Sequence, residues 1–187
     1  MKGDLRALDV RNKKVIVRVD FNVPLSKDFQ VTDDTLLRGA LPTIEYLVEK
    51  GAKIILVSHF ARPLSKLLPD GEIDRNKFSL RHVVPALSAL LGKEVAFFPD
   101  CVGEAVLQKT NELGSGDILL LENTRFHAGE EKGDPAMAAQ LASLGDIYIN
   151  DAFGAAHRAH ASTTVVANHF DAAHKAFGYL MQLELDN

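Results

Sequence analysis

Two rhythms of apolar residues alternate along this chain. Short continuous apolar runs recur at Val15–Val19, Ile54–Val57, Val95–Phe98, Ile118–Leu121 and Ile147–Ile149. Runs of this length, bounded by polar or glycine punctuation, predict strands buried on both faces. Between them the spacing stretches to that of a helix. After Asp33-Asp34-Thr35, which can cap a helix, Leu37, Ala40, Leu41, Ile44, Leu47 and Val48 form one buried stripe running to about Lys50. Gly51 follows as a C′ glycine. Further helices are predicted from Ser79 to Leu91 with Gly92 as terminator, from about Val102 to Leu113, and from Pro135 to Ser143. Strands alternating with helices of this length predict βαβ units. The fold class is therefore α/β, a three-layer α/β/α arrangement with a central parallel sheet. No repeat or linker divides the chain, so residues 1–187 are expected to form a single domain. The polar loop Leu64–Lys77, with its Pro69-Asp70-Gly71 turn, is the expected mobile segment. Phe177–Leu185 reads as the opening of a helix abandoned at Asn187, as at a truncated boundary.

Polar clusters follow the apolar runs. They are Val19-Asp20-Phe21-Asn22-Val23-Pro24, Ser58-His59-Phe60-Ala61-Arg62-Pro63, Glu122-Asn123-Thr124-Arg125-Phe126, and the stretch from Asp151 to His160. In open parallel sheets ligands bind beyond the carboxyl ends of the strands. Four such ends are thus expected to gather Asp, Asn, His and three Arg into one basic cleft. Arg62, Arg125 and Arg158 can clamp a phosphate or carboxylate through paired hydrogen bonds, while Asp20 and Asn22 can fix hydroxyl groups. Arg18 is expected to hold loops rather than ligand. The cleft reads as a site for a small anion.

Charge and composition narrow the partners. A net charge of −4 argues against general nucleic-acid binding, which requires a basic domain. A basic cleft on a mildly acidic chain instead focuses a small anion. Cys101 is the only cysteine, so no internal disulfide can form and a reducing compartment is expected. No apolar stretch approaches the roughly 20 residues of a membrane span, and the start lacks a secretory pattern. A cytoplasmic protein without membrane contact is expected. His157-x-x-His160 and His169-x₄-His174 lack the companion cysteines of a structural zinc site, so no metal is expected. Cys101 reads as a small packing residue. Gly114-Ser115-Gly116-Asp117 precedes a strand and reads as a turn, and Glu130-Glu131-Lys132 reads as a solvated loop.

The strand-end segments carry a resemblance. Arg18-Val19-Asp20-Phe21-Asn22-Val23-Pro24, Leu119-Leu120-Leu121-Glu122-Asn123-Thr124-Arg125-Phe126, Gly129-Glu130-Glu131 and the Asp151–Thr163 segment resemble the signature segments of phosphoglycerate kinases. The likeness runs in order along essentially the whole chain and covers only the family's Rossmann-like N-terminal domain. It implies binding of 3-phosphoglycerate or 1,3-bisphosphoglycerate, with substrate contacts from Asp20, Asn22, His59, Arg62, Arg125 and Arg158, and His157 nearby. It also implies a glycolytic phosphoryl transfer completed by domain closure. Magnesium-bound ATP or ADP would bind the family's C-terminal domain, so no cofactor is expected here. A C-terminal domain acting in trans is one implied partner.

Departures from the family pattern are concentrated near the cleft. Where the family reads Thr-Asp-Asp-Thr-Arg-Ile-Arg, this chain reads Thr32-Asp33-Asp34-Thr35-Leu36-Leu37-Arg38. Leu36 stands where the resemblance implies an arginine that stabilises the transferring phosphoryl group, so no catalytic residue is intact. Arg38 lies about 200° further round a helix and is not expected to substitute. Phe29 stands where a turn glycine is usual, Ser58-His59-Phe60-Ala61-Arg62-Pro63 where the family reads Ser-His-Leu-Gly-Arg-Pro, and Leu64-Ser65 where Lys-Gly commonly follows. Phe29, Phe60, Ala61 and Leu64, together with Leu36, suggest an alternative reading: an apolar cleft rim, altered by divergence or engineering, that binds a protein partner or an apolar ligand.

Overall fold

The computed structural model describes residues 3–153 and 158–187. Six strands, β1 (Lys14–Arg18), β2 (Lys53–Val57), β3 (Ala96–Phe98), β4 (Ile118–Leu121), β5 (Ile147–Asn150) and β6 (Lys175–Phe177), form one sheet in the order β3-β4-β2-β1-β5-β6. Every pairing is parallel, with Val15 opposite both Ile54 and Ile147, and Ile54 opposite Ile118. Apart from Lys14, Arg18, Lys53 and Asn150 at their ends, the central strands are apolar because each feeds two cores by its two-residue period. Val15, Val17, Ile54, Leu56, Ile118, Leu120, Ile147 and Ile149 face one core. Ile16, Ile55, Val57, Leu119, Leu121 and Tyr148 face the other.

Helices α1 (Thr35–Glu49) and α2 (Val84–Leu91) cover the first face through Leu37, Ile44, Leu47 and Leu87. Helices α3 (Glu104–Asn111) and α5 (Pro135–Ala142) cover the second through Val106, Met137, Ala138 and Leu141. A short α4 (Gly129–Lys132) precedes α5, and α6 (Tyr179–Asp186) lies against α1. The loops leaving β1 and β2 therefore lead to helices on one face, and those leaving β4 and β5 to elements on the other. Their divergence opens a crevice at the carboxyl ends of the central strands.

Some local expectations need correction. Ser79 does begin a helical segment, its side chain accepting from Arg81 N at 3.1 Å, but Leu80–Val83 winds as a 3₁₀ turn before α2. Pro85, at the start of α2, has no N–H with which to continue an α-type ladder into that turn. Helix α1 opens at Asp33-Asp34-Thr35 as expected, with Asp34 at the N-cap position, but the Asp34 side chain pairs with Arg38 at 3.0 Å rather than capping. Asp33 instead accepts from the backbone N–H and the hydroxyl of Thr35. Phe177 belongs to β6, a three-residue edge strand too short to have shown a period. Glu130 is fully buried rather than solvated, accepting from the backbone N–H and hydroxyl of Ser162. Among the described residues, no helix is long and apolar enough to cross a membrane.

Candidate functional site

The crevice is framed by side chains that the sequence pattern marked as strand-end polar residues. Asn123, fully buried after β4, uses its whole amide. Its Oδ1 accepts from Phe60 N and Arg125 N, each at 3.0 Å, and its Nδ2 donates to Phe60 O at 2.7 Å and Phe78 O at 3.0 Å. Glu122 beside it accepts from Ser79 Oγ, Leu80 N and its neighbour Asn123 N. Ser58 joins β1 to β2, its Oγ accepting from Phe21 N at 3.0 Å. Asn22 accepts from Ala61 N at 2.9 Å and so ties the β1 loop to the β2 loop. These residues spend their polar atoms on the frame; buried groups left without such partners would each cost on the order of 1–3 kcal/mol.

Arg18 fixes the orientation of His59. Its guanidinium is completely buried and donates to Ser162 Oγ at 2.8 Å, to Val19 O and to His59 Nδ1 at 3.0 Å. A guanidinium has only donors, so Nδ1 must accept, and the imidazole proton sits on Nε2. Burial, followed by the charges of Arg18, Arg125, His160 and Arg158, pushes the His59 pKa down to about 3. His59 is thus a fixed neutral ring offering an N–H donor throughout the ordinary pH range. Arg18 plays the structural part expected of it.

Around this frame lies a cavity of about 570 Å³ lined by Asp20, Asn22, His59, Arg62, Arg125 and Arg158, the residues expected to meet there. Ala61, Ser65, Lys66 and Phe78 complete the wall. Arg125 is nearly buried, donating to Ala61 O at 3.0 Å, with Glu131 Oε1 at 3.9 Å from its Nε. Burial lowers its pKa, partly offset by Glu131 and Glu130. Arg62 and Arg158 are exposed at the mouth. Both are anchored through their carbonyls. Arg62 O accepts from Ser65 N and Oγ, and Arg158 O accepts from the hydroxyls of Thr163 and Thr164. His157 lies outside the described residues. Among the described residues the wall carries four cations against the single carboxylate of Asp20, on a chain whose net charge is −4. Sequence pattern missed Lys66, which sits in a polar loop with no period to single it out.

The apolar rim is not formed as expected. Phe60 is only 7% exposed and belongs to the core, because Asn123 pins both its backbone groups inward. Leu36 is half-buried and packs against the same core without lining the cavity. Phe29 stacks on His82, ring centroids 4.4 Å apart, beside a separate depression. Only Leu64 of the group is an exposed large apolar side chain. Ala61 and Phe29 both adopt left-handed backbone, with φ of 54° and 60°. Arg38, exposed and paired with Asp34, does not line the cavity.

One other cluster brings together metal-ligating types. Ligand atoms of Asp100, Cys101 and His127 lie within 4.8 Å of one another. Cys101 is completely buried, and burial, with Asp100 adding to it, raises the thiol pKa well above its usual value. His127 Nε2 is already paired with Asp100 Oδ1 at 2.9 Å. The thiol is a packing atom.

Comparison with known proteins agrees with this geometry. The phosphoglycerate kinase family model matches residues 5–187. The phosphoglycerate kinase of Thermosynechococcus vestitus is 50% identical over 184 residues, covering 98% of this chain and 44% of the relative. A cytosolic phosphoglycerate kinase of Triticum aestivum is 51% identical, covering 98% of this chain and 43% of its own length. The crystal structure of phosphoglycerate kinase from Pyrococcus horikoshii OT3 superposes with a TM-score of 0.83 at 32% identity, covering all of this chain and 44% of that one. The chain spans less than half the length of these relatives. With its six-stranded parallel sheet and its strand-end cavity, it belongs to the phosphoglycerate kinase family and corresponds to that family's N-terminal domain.

Proposed function

We propose that the cavity binds 3-phosphoglycerate and 1,3-bisphosphoglycerate, the phosphate-carrying carbon substrates of the family's reaction. The observation that carries the proposal is the excess of cations in a cavity where His59 is held neutral. At neutral pH 3-phosphoglycerate brings a carboxylate and a phosphate of about −1.5 to −2 charge. The exposed forks of Arg62 and Arg158 can swing to meet these groups, and the buried Arg125 meets them from a fixed position. His59 Nε2–H can donate to an oxygen of the ligand, and Asp20 can accept from its hydroxyl. Phosphoryl transfer asks for little covalent help from protein, so positioning and charge neutralisation would be this half's share.

The magnesium-bound nucleotide would meet the part of the relatives that this chain does not span. With a leucine at position 36 as well, the 187 residues by themselves are expected to bind without turnover. Titration calorimetry with 3-phosphoglycerate at low salt tests the reading. A saturable heat at one equivalent, competed by inorganic phosphate, supports it. No heat, together with no rise in melting temperature at millimolar ligand, would overturn it.

A further inference from the structure

We infer that Lys66 is a ligand-binding cation of this cavity and supplies positive charge that α1 does not. The inference rests on reading the cavity as a phosphoglycerate site. Neither residue at the start of α1 contributes there: Leu36 packs against the core, and Arg38 turns outward to Asp34. Lys66 does line the cavity, beside Arg62 on the same short turn of chain.

Its placement is built by the loop. Pro63 is buried and opens a 3₁₀ turn over Pro63–Ser65. Ser65 closes that turn on Arg62 O through its N–H at 3.1 Å and its hydroxyl at 2.8 Å. Lys66 follows directly, so the backbone that anchors Arg62 also sets the position of the lysine. Among the described residues no carboxylate lies within ion-pair reach of Lys66, whereas Arg125 has Glu131 at 3.9 Å. Its ammonium is therefore not already neutralised.

Charge matching points the same way. With Glu131 paired to Arg125, the three arginines and Asp20 leave the site near +1, and Lys66 brings it to about +2. A ligand carrying one carboxylate and a phosphate near −2 still exceeds that charge, so each further cation at the wall favours binding. A flexible point charge suits an end of the ligand whose position the rigid frame does not fix.

The test is calorimetric titration of 3-phosphoglycerate into the parent chain, K66Q, K66R and the surface control K27Q, at two salt concentrations. Lys66 is exposed, so K66Q should fold; unchanged circular dichroism and melting temperature verify this. The expected result is about tenfold weaker binding for K66Q, near-parent binding for K66R and K27Q, and a shallower salt dependence for K66Q than for the parent. If the parent binds and K66Q stays within twofold of it, the inference is wrong and the cavity reading stands. If K66Q and K27Q weaken binding equally, Lys66 acts only through net charge and the inference is likewise wrong. If the parent itself binds nothing, the cavity reading fails and takes the inference with it.

Discussion

Replacing His59 with asparagine isolates a single titration whose sign and size follow from the geometry. Asparagine can present Oδ1 to Arg18 much as the imidazole presents Nδ1, but it cannot take up a proton. In the folded chain His59 has a pKa of about 3, against 6.5 for the unfolded residue. Because the folded value is depressed, the unfolded state binds the proton first. The stability tied to neutral His59 is fully present above pH 6.5 and is lost as pH falls toward 3. Between pH 7.5 and pH 5 this one residue should remove about 2 kcal/mol, by the one-proton linkage relation. Other groups also change the parent's stability over that range, so the difference between parent and variant is what counts. Urea unfolding at half-unit steps of pH should show the parent losing about 2 kcal/mol more than H59N across the interval. The folded imidazole should also show no NMR titration midpoint above pH 5. Parallel stability curves, or a folded midpoint near 6.5, would refute both the buried neutral ring and its hydrogen bond from Arg18.

Three further outcomes follow from the same frame. Arg125→Gln removes the nearly buried cation of the cavity and its bond to Ala61 O; calorimetry should show 3-phosphoglycerate binding weakened by roughly 10- to 100-fold. Ala61→Gly relieves a left-handed residue at φ 54° and should stabilise the fold by about 0.5–1 kcal/mol after the added chain entropy is subtracted, read as a rise of about 1–4 °C in melting temperature. Leu36→Arg should change 3-phosphoglycerate affinity by less than about threefold, because position 36 does not line the cavity. A tenfold gain there would mean that the side chain reaches the ligand after all.

Much of the architecture was legible because parallel strands buried on both faces leave an unmistakable mark: Ile118–Leu121 is apolar at every position since Ile118 and Leu120 face one core, and Leu119 and Leu121 the other. Strand β6 carries no such mark. It has three residues at a sheet edge, of which only Ala176 is fully buried, so its place is set by pairing with β5 rather than by its own pattern. Much of the cavity lining was legible because Asp20, Asn22, His59, Arg62 and Arg125 sit in the first few positions after β1, β2 and β4, whereas Lys66, further along its loop, carried no such mark. What sequence could not convey was the direction of each side chain. Phe60 and Ala61 are neighbours after β2, yet Asn123 turns Phe60 into the core while Asn22 and Arg125 hold Ala61 at the cavity wall. An apolar rim inferred from residue type alone dissolves once those hydrogen bonds are in place.

The same hydrogen bonds divide the site into two kinds of charge. Arg18 donates to three acceptors in the interior and Arg125 to the carbonyl of Ala61, so their removal should disturb stability and ligand affinity together. Arg62, Lys66 and Arg158 stand at the mouth with exposed side chains, and among the described residues Arg62 and Arg158 are tied to the fold through their carbonyls. Their removal should alter affinity and its salt dependence while leaving stability nearly unchanged, within about 0.5 kcal/mol. Under this division Leu36 has a coherent place. If the cavity binds the proposed anion, a leucine at this half-buried core-facing position should leave binding intact, because the exposed cations at the mouth remain, and should tell only on a step that needs a cation beyond the cavity wall. A domain that grips its ligand but cannot complete transfer is the combination this distribution of charge favours. Ligand titration alongside a coupled ATP-forming assay on the same preparation separates the two properties: saturable binding with no turnover is expected, and measurable turnover would show that position 36 is not where the reaction needs its charge.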